Sequence, residues 1–151
     1  MRTQRFALPV LLFAAGVFAS GCRPLVMIPG GELSGTVKPA PSDWSFTDDV
    51  ETFQLETRPD DPYSVNVWGI GVGDAFYVAS GRGASAAWAK HIAEDPRVRL
   101  RVGDDIYELA AVRTGDAAEL EAFLAVARQK YDFEPEPEQR EEAVLFRLDP
   151  R

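Results

Sequence analysis

The sequence predicts a mainly β domain of the α+β class, a small antiparallel barrel with strands and two short helices in the order βββαββαβ. Three observations lead there. Short runs of alternating apolar and polar residues recur with turn signals between them, only two stretches keep helical spacing, and the links between runs are short. Short links suit hairpins better than the long crossovers of a parallel sheet.

The chain opens with a separate unit. Residues 1–5 carry Arg2 and Arg5 and no acid, and residues 6–19 are almost wholly apolar. A charged segment followed by an apolar one is the layout of an export signal. The apolar run is about 14 residues, short of the ~20 a helix needs to cross the hydrocarbon core, and Pro9 and Gly16 interrupt it. It ends in Ala19-Ser20-Gly21-Cys22, which resembles the lipobox cut by the lipoprotein signal peptidase, although leucine is usual where Ala19 stands. The resemblance implies cleavage before Cys22 and a lipid on its thiol; the plainer alternative is an ordinary secretory signal that leaves a free thiol. Cys22 is the sole cysteine, so an exported chain has no internal disulfide to form. The acyl chains of a mature lipoprotein exceed the two signals that stable anchoring takes. Arg23, rather than an aspartate, follows the cysteine, which implies the cell envelope, at the outer membrane facing the periplasm.

Residues 22–43, rich in Pro, Gly and Ser, read as a lipidated cysteine and a flexible tether, and residues 44–151 as one domain with its own core. The whole chain has 16 basic and 24 acidic side chains; loss of Arg2 and Arg5 with the signal leaves 14 basic ones and a formal charge of −10. Such an acidic surface excludes nucleic acid as a partner on electrostatic grounds.

Within the domain, 52–58 and 63–70 alternate with period two around Pro59-Asp60-Asp61-Pro62, and 75–80 follows a Gly73-Asp74 turn, so three strands in a meander are expected. Helical spacing of Ala84, Trp88 and Ile92 predicts a helix over 84–94, stopped by Pro96. Val98, Leu100 and Val102 alternate with arginines and lead through Gly103-Asp104-Asp105 into 106–113, a second hairpin. Asp116 and Glu119 form a capping-box pattern ahead of Leu120, Phe123, Leu124, Ala127 and Tyr131 on one helical face, predicting a helix over 116–130. Residues 134–142, with Pro135 and Pro137, read as a solvated loop, and 143–149 as the last strand.

The run Asp74-Ala75-Phe76-Tyr77-Val78-Ala79-Ser80, then Trp88-Ala89-Lys90-His91-Ile92, then Asp95-Pro96-Arg97-Val98 and the strand to Gly103 resembles the split β-barrel family of pyridoxamine-phosphate oxidase-like proteins and deazaflavin-dependent nitroreductases. The resemblance implies a split barrel, FMN or a deazaflavin as cofactor, oxidoreductase chemistry and a homodimer. Two departures bear on activity. Arg58-Pro59-Asp60-Asp61-Pro62 stands where the deazaflavin enzymes carry a basic, Gly-rich turn, and the oxidases' Ser-x-Arg phosphate motif is not evident. A lipid-anchored binding or interaction module without cofactor therefore stands beside the oxidoreductase-like reading.

Ser80-Gly81-Arg82-Gly83 is the candidate anion site, between a strand and a helix where backbone amides and a guanidinium can hold a phosphate; the plainer reading is a βα loop with a surface arginine. Trp68, Trp88 and His91 can line a flat ligand, or the tryptophans can simply pack in the core. No metal is expected, since His91 lacks ligand-type neighbours in sequence. Arg97, Arg99 and Arg101 share a strand face and read best as solvated charges paired with acids such as Glu108. Gly69, Gly71 and Gly73 precede a strand where a dinucleotide loop requires a helix, so that chemistry is excluded.

Overall fold

A computed structural model describes residues 30–151; the signal at 1–21 and the lipidation candidate Cys22 lie outside the described residues. The strands are β1 (Thr36–Lys38), β2 (Phe53–Thr57), β3 (Tyr63–Val67), β4 (Gly69–Val72), β5 (Ala75–Ser80), β6 (Arg97–Val102), β7 (Asp105–Thr114) and β8 (Val144–Pro150). The helices are α1 (Ala87–Glu94), α2 (Ala117–Tyr131) and α3 (Pro137–Glu142). Seven strands follow the hydrogen-bonded path β3-β2-β6-β7-β8-β5-β4, every pair antiparallel, and β1 adds to β7 in parallel. This is a curled half-barrel, mainly β.

The two ends of that path, β3 and β4, are consecutive in the chain with only Trp68 between them. The sheet must therefore curl until its edges meet at that corner. The single strand expected over 63–70 is thus two strands on opposite ends of the sheet, and the expected meander is replaced: β5 pairs with β8, not with β3. Alternation of side chains fixes which face is buried but not which neighbour a strand takes, and the pairings that close this sheet are distant in sequence.

Alternation divides the core in two. Phe76 and Val78 of β5, Phe146 and Leu148 of β8, Leu55 of β2 and Leu100 of β6 fill the barrel, and α1 closes one end with Trp88, Ala89 and Ile92. Trp44 plugs the barrel between Phe76 and Tyr107, at ring separations of 4.8 and 5.1 Å. It lies so close to β4 that a Cβ on Gly71 would stand 2.6 Å from the Trp44 Cβ. On the outer face, Tyr77, Leu145 and Ile70 meet Phe123, Leu124 and Ala127 of α2, the helical face expected from sequence. Asp116 caps α2 by accepting from the amides of Ala118 and Glu119. Glu119 does not complete the box; its carboxylate takes Thr114, Tyr77 and Arg147 instead.

Three further expectations are corrected. The stretch given to the tether is packed from Gly30 onward: Gly30 bridges Ser64, Leu33 is buried and β1 pairs with β7. Its anchor is Glu56, which accepts from the Leu33 amide at 2.5 Å while paired with Arg99. The loop read over 134–142 contains α3, because Pro137 stands in the first turn, where a missing N–H costs nothing, and Glu136 and Gln139 close a capping box. The helix expected over 84–94 begins at Ala87, after a 3-10 turn at Gly83–Ser85.

Candidate functional site

β5 ends at Ser80, and the chain turns through Gly81 and Arg82 into α1. The Ser80 side chain is buried and its hydroxyl donates to the Gly83 carbonyl at 2.8 Å, holding the turn closed. Gly83 is left-handed, with φ 56°, and sits against the Glu142 carbonyl, which an added Cβ would approach to 2.3 Å. Ser80 and Gly83 therefore shape the turn. Gly81 and Arg82 are the exposed part of the candidate anion site, and the Arg82 guanidinium has no carboxylate partner among the described residues.

Gly81 and Arg82 form one wall of a groove of about 220 Å3 whose other walls are Thr52, Asn66, Trp68 and the edge of Trp88. The two tryptophans differ. Trp88 is buried and packs on Phe146 at 5.5 Å, so core packing is its main role. Trp68 is 47% exposed, stacked on Tyr131 at 4.9 Å and 10° between planes, with Phe133 edge-on at 5.6 Å. It lines the groove as a ring held by its aromatic neighbours.

His91 does not join this groove. Its Nδ1 lies 3.0 Å from the Thr57 hydroxyl, its ring meets Tyr63 edge-on at 4.8 Å, and burial, aided by Arg58, pushes its pKa down. The arginine row is a charge-balanced face: Arg97 pairs with Asp95 and Asp60, Arg99 with Glu56, Arg101 with Asp104. Glu108 pairs with Arg151 rather than with that row. Asp60 and Asp61 of the acidic turn are held by Arg97 and Arg58.

Trp68 keeps its place through the end of α2. Tyr131 Oη donates to the Gly69 carbonyl at 2.9 Å and accepts from the Gly69 amide at 3.2 Å, and Lys130 Nζ donates to the same carbonyl at 3.1 Å and to Thr47 O at 2.8 Å. Burial lowers the Lys130 pKa and raises that of Tyr131. These side chains satisfy backbone groups that a neighbouring strand would otherwise take. Sequence reading placed Tyr131 on the apolar face of its helix and gave no role to Phe133; the aromatic pair Tyr131-x-Phe133 at a helix end was the available signal.

Solved structures share this architecture. A candidate pyridoxamine 5'-phosphate oxidase from Listeria innocua matches with a TM-score of 0.52 at 15% identity, over 67% of this chain and 84% of that one. A candidate 5-nitroimidazole antibiotic resistance protein from Bacteroides thetaiotaomicron matches at 0.56 and 11%, over 70% and 76%. General stress protein 26 from Bacillus anthracis matches at 0.51 and 22%, over 66% and 79%. The chain has the split-barrel fold. At these identities the likeness is one of fold. No protein-family profile matches the chain, and no curated protein matches it.

The described groove can be tested against the flat, phosphorylated cofactor that the resemblance implies. Trp68 supplies a ring face, Arg82 an uncommitted guanidinium and Gly81 an approach with no Cβ, so the donor set fits. The space is smaller than the ~300–1,000 Å3 of most small-molecule sites.

Proposed function

We propose that this protein is a lipid-anchored envelope protein with a flavin- or deazaflavin-type, oxidoreductase-like split barrel, which holds a planar phosphorylated cofactor in the groove between Trp68 and Arg82. The observation that carries this reading is a half-exposed tryptophan and a guanidinium without a carboxylate partner among the described residues lining one groove, on the fold shared with a candidate pyridoxamine-phosphate oxidase. In this reading Arg82 takes the phosphate, Trp68 lies against the ring system, and Gly81 allows close backbone approach. A bound flavin or deazaflavin would supply hydride or electron transfer. A second copy of the chain completes the enclosure, in accord with the small volume of the groove in one chain. In the same reading Cys22 carries the lipid.

The test is an absorbance spectrum of the purified full chain before and after incubation with FMN and with a deazaflavin, alongside the Arg82→Ala variant. Saturable uptake by the wild type and at least tenfold weaker retention by the variant are expected. No uptake of either compound would leave the binding-module reading in its place. Sizing in detergent, with and without cofactor, tests the second copy, and mass measurement of the amino terminus tests the lipid.

A further inference from the structure

We propose that a second site, an apolar chamber beneath the segment 132–143, binds a neutral, flat aromatic molecule of roughly bicyclic size. The chamber measures about 240 Å3 and lies between α2, the outer face of β5 and β8, and the chain running from Phe133 through α3. Close-packed interiors rarely leave voids much larger than a water molecule. Here small residues keep the space open: Ala79, Gly81 and Ala143 line it where larger side chains would fill it, and a Cβ on Gly81 would meet nothing within 4 Å.

The walls select for shape. Trp68, Tyr131 and Phe133 line the chamber, and aromatic rings pack well against other flat π systems. The rim selects for charge. Arg140 is the one charged residue in the lining, and Glu134 engages it. The Gln139 amide oxygen accepts from the Glu136 backbone. An ionic ligand would find no free counter-charge in the chamber's lining, and burying it would be costly. A neutral aromatic meets no such penalty. An apolar cavity of about 150 Å3 accepts benzene, so the larger space here admits a two-ring molecule.

Glu134 also sets access. It joins Arg128 of α2 to Arg140 of α3 and so ties the cover over the chamber. Trp68, Ala79 and Gly81 are shared with the groove beside Arg82, yet the chamber does not depend on the cofactor reading.

The probe is 2-naphthol, titrated into the full chain by calorimetry and by quenching of tryptophan emission. One-site saturation with a dissociation constant of about 0.1 mM or tighter is expected for a ligand of this size. Ala143→Phe, placed in extended backbone at the chamber wall, should weaken binding at least tenfold. Ala79→Leu serves the same purpose should that variant melt early. Arg82→Ala should bind 2-naphthol normally, so failure of the cofactor reading and failure of the chamber are distinguishable. Absence of saturable binding, or unchanged affinity in a folded filling variant, overturns the proposal.

Discussion

Glu56 is the side chain whose replacement should matter most to stability. It is 2% exposed on β2, and it accepts from Arg99 Nη1 at 3.0 and 3.1 Å and from the Leu33 amide at 2.5 Å. In Glu56→Gln one oxygen becomes a donor that faces donors. Arg99, 17% exposed, then loses a charge-assisted interaction worth about 1.5–3 kcal/mol. Either its guanidinium or the Leu33 amide is left unsatisfied, which costs about 1 kcal/mol more. Breaking one side of a fully buried pair costs about 3–5 kcal/mol; the partial exposure of Arg99 places the expected loss near 3 kcal/mol. In a domain of this size that lowers Tm by about 10–15 °C. Scanning calorimetry measures the loss, and hydrogen exchange locates it: the amides of Leu33 and β1 should lose protection first, because Glu56 holds that strap to the barrel. A Tm within about 2 °C of wild type, with unchanged exchange at Leu33, would refute the reasoning.

Gly83→Ala should lower Tm by about 10 °C or more, since a left-handed φ costs ~1–2 kcal/mol and the new Cβ would press on the Glu142 carbonyl, whereas Gly81→Ala, with open space at its Cβ, should be thermally silent; equal effects in thermal melts would contradict the turn geometry. Tyr131→Phe removes both bonds to Gly69 while keeping the ring on Trp68, so a loss of about 1–2 kcal/mol in denaturant melts with unchanged tryptophan emission is expected. The Glu134 carboxyl is held down at about 2, first by Arg128 and then by Arg140. Its folded pKa lies below the ~4.3 of a free glutamate, so its support of the cover is present above that value and is lost as pH falls toward about 2. NMR signals of Phe133 should titrate in that lower window, and a midpoint near 4.3 would show the latch to be absent.

Much of the fold could be read from the sequence because strand faces and helix faces are local properties. The alternation of Phe76, Val78 and Ser80 against Tyr77 and Ala79, and the spacing of Phe123, Leu124 and Ala127, each report a buried face directly. Pairing is not local. The alternation in 63–70 changes phase at Trp68, where the apolar residues pass from Tyr63, Val65 and Val67 to Trp68 and Ile70, and that one-residue shift is the only local mark of the corner at which the chain leaves one sheet edge for the other. The strap at 30–38 was hidden for a different reason: its composition is that of a loop, and it is held by a buried carboxylate 23 residues further on. In α3 the prolines misled because they sit before or in the first turn, the positions a helix tolerates. For the groove, Gly81 and Arg82 were legible as an exposed βα turn, while Ser80, Gly83 and His91 proved to be occupied by the fold itself.

The sheet's seam explains why the groove and the chamber share a wall. A hydrogen-bonded closure between β3 and β4 would turn their side chains alternately in and out and leave Trp68 one face among many. At the β4 side of the seam, Tyr131 and Lys130 from the end of α2 instead take the amide and carbonyl of Gly69. That substitution brings an aromatic ring flat against Trp68, which stays 47% exposed. It also fixes where α2 must end, and the chain beyond it, from Asp132 in left-handed backbone to α3, has to return across the outer sheet to reach β8. The cover of the chamber and the plane of the groove thus follow from one structural event, the replacement of a strand partner by two side chains.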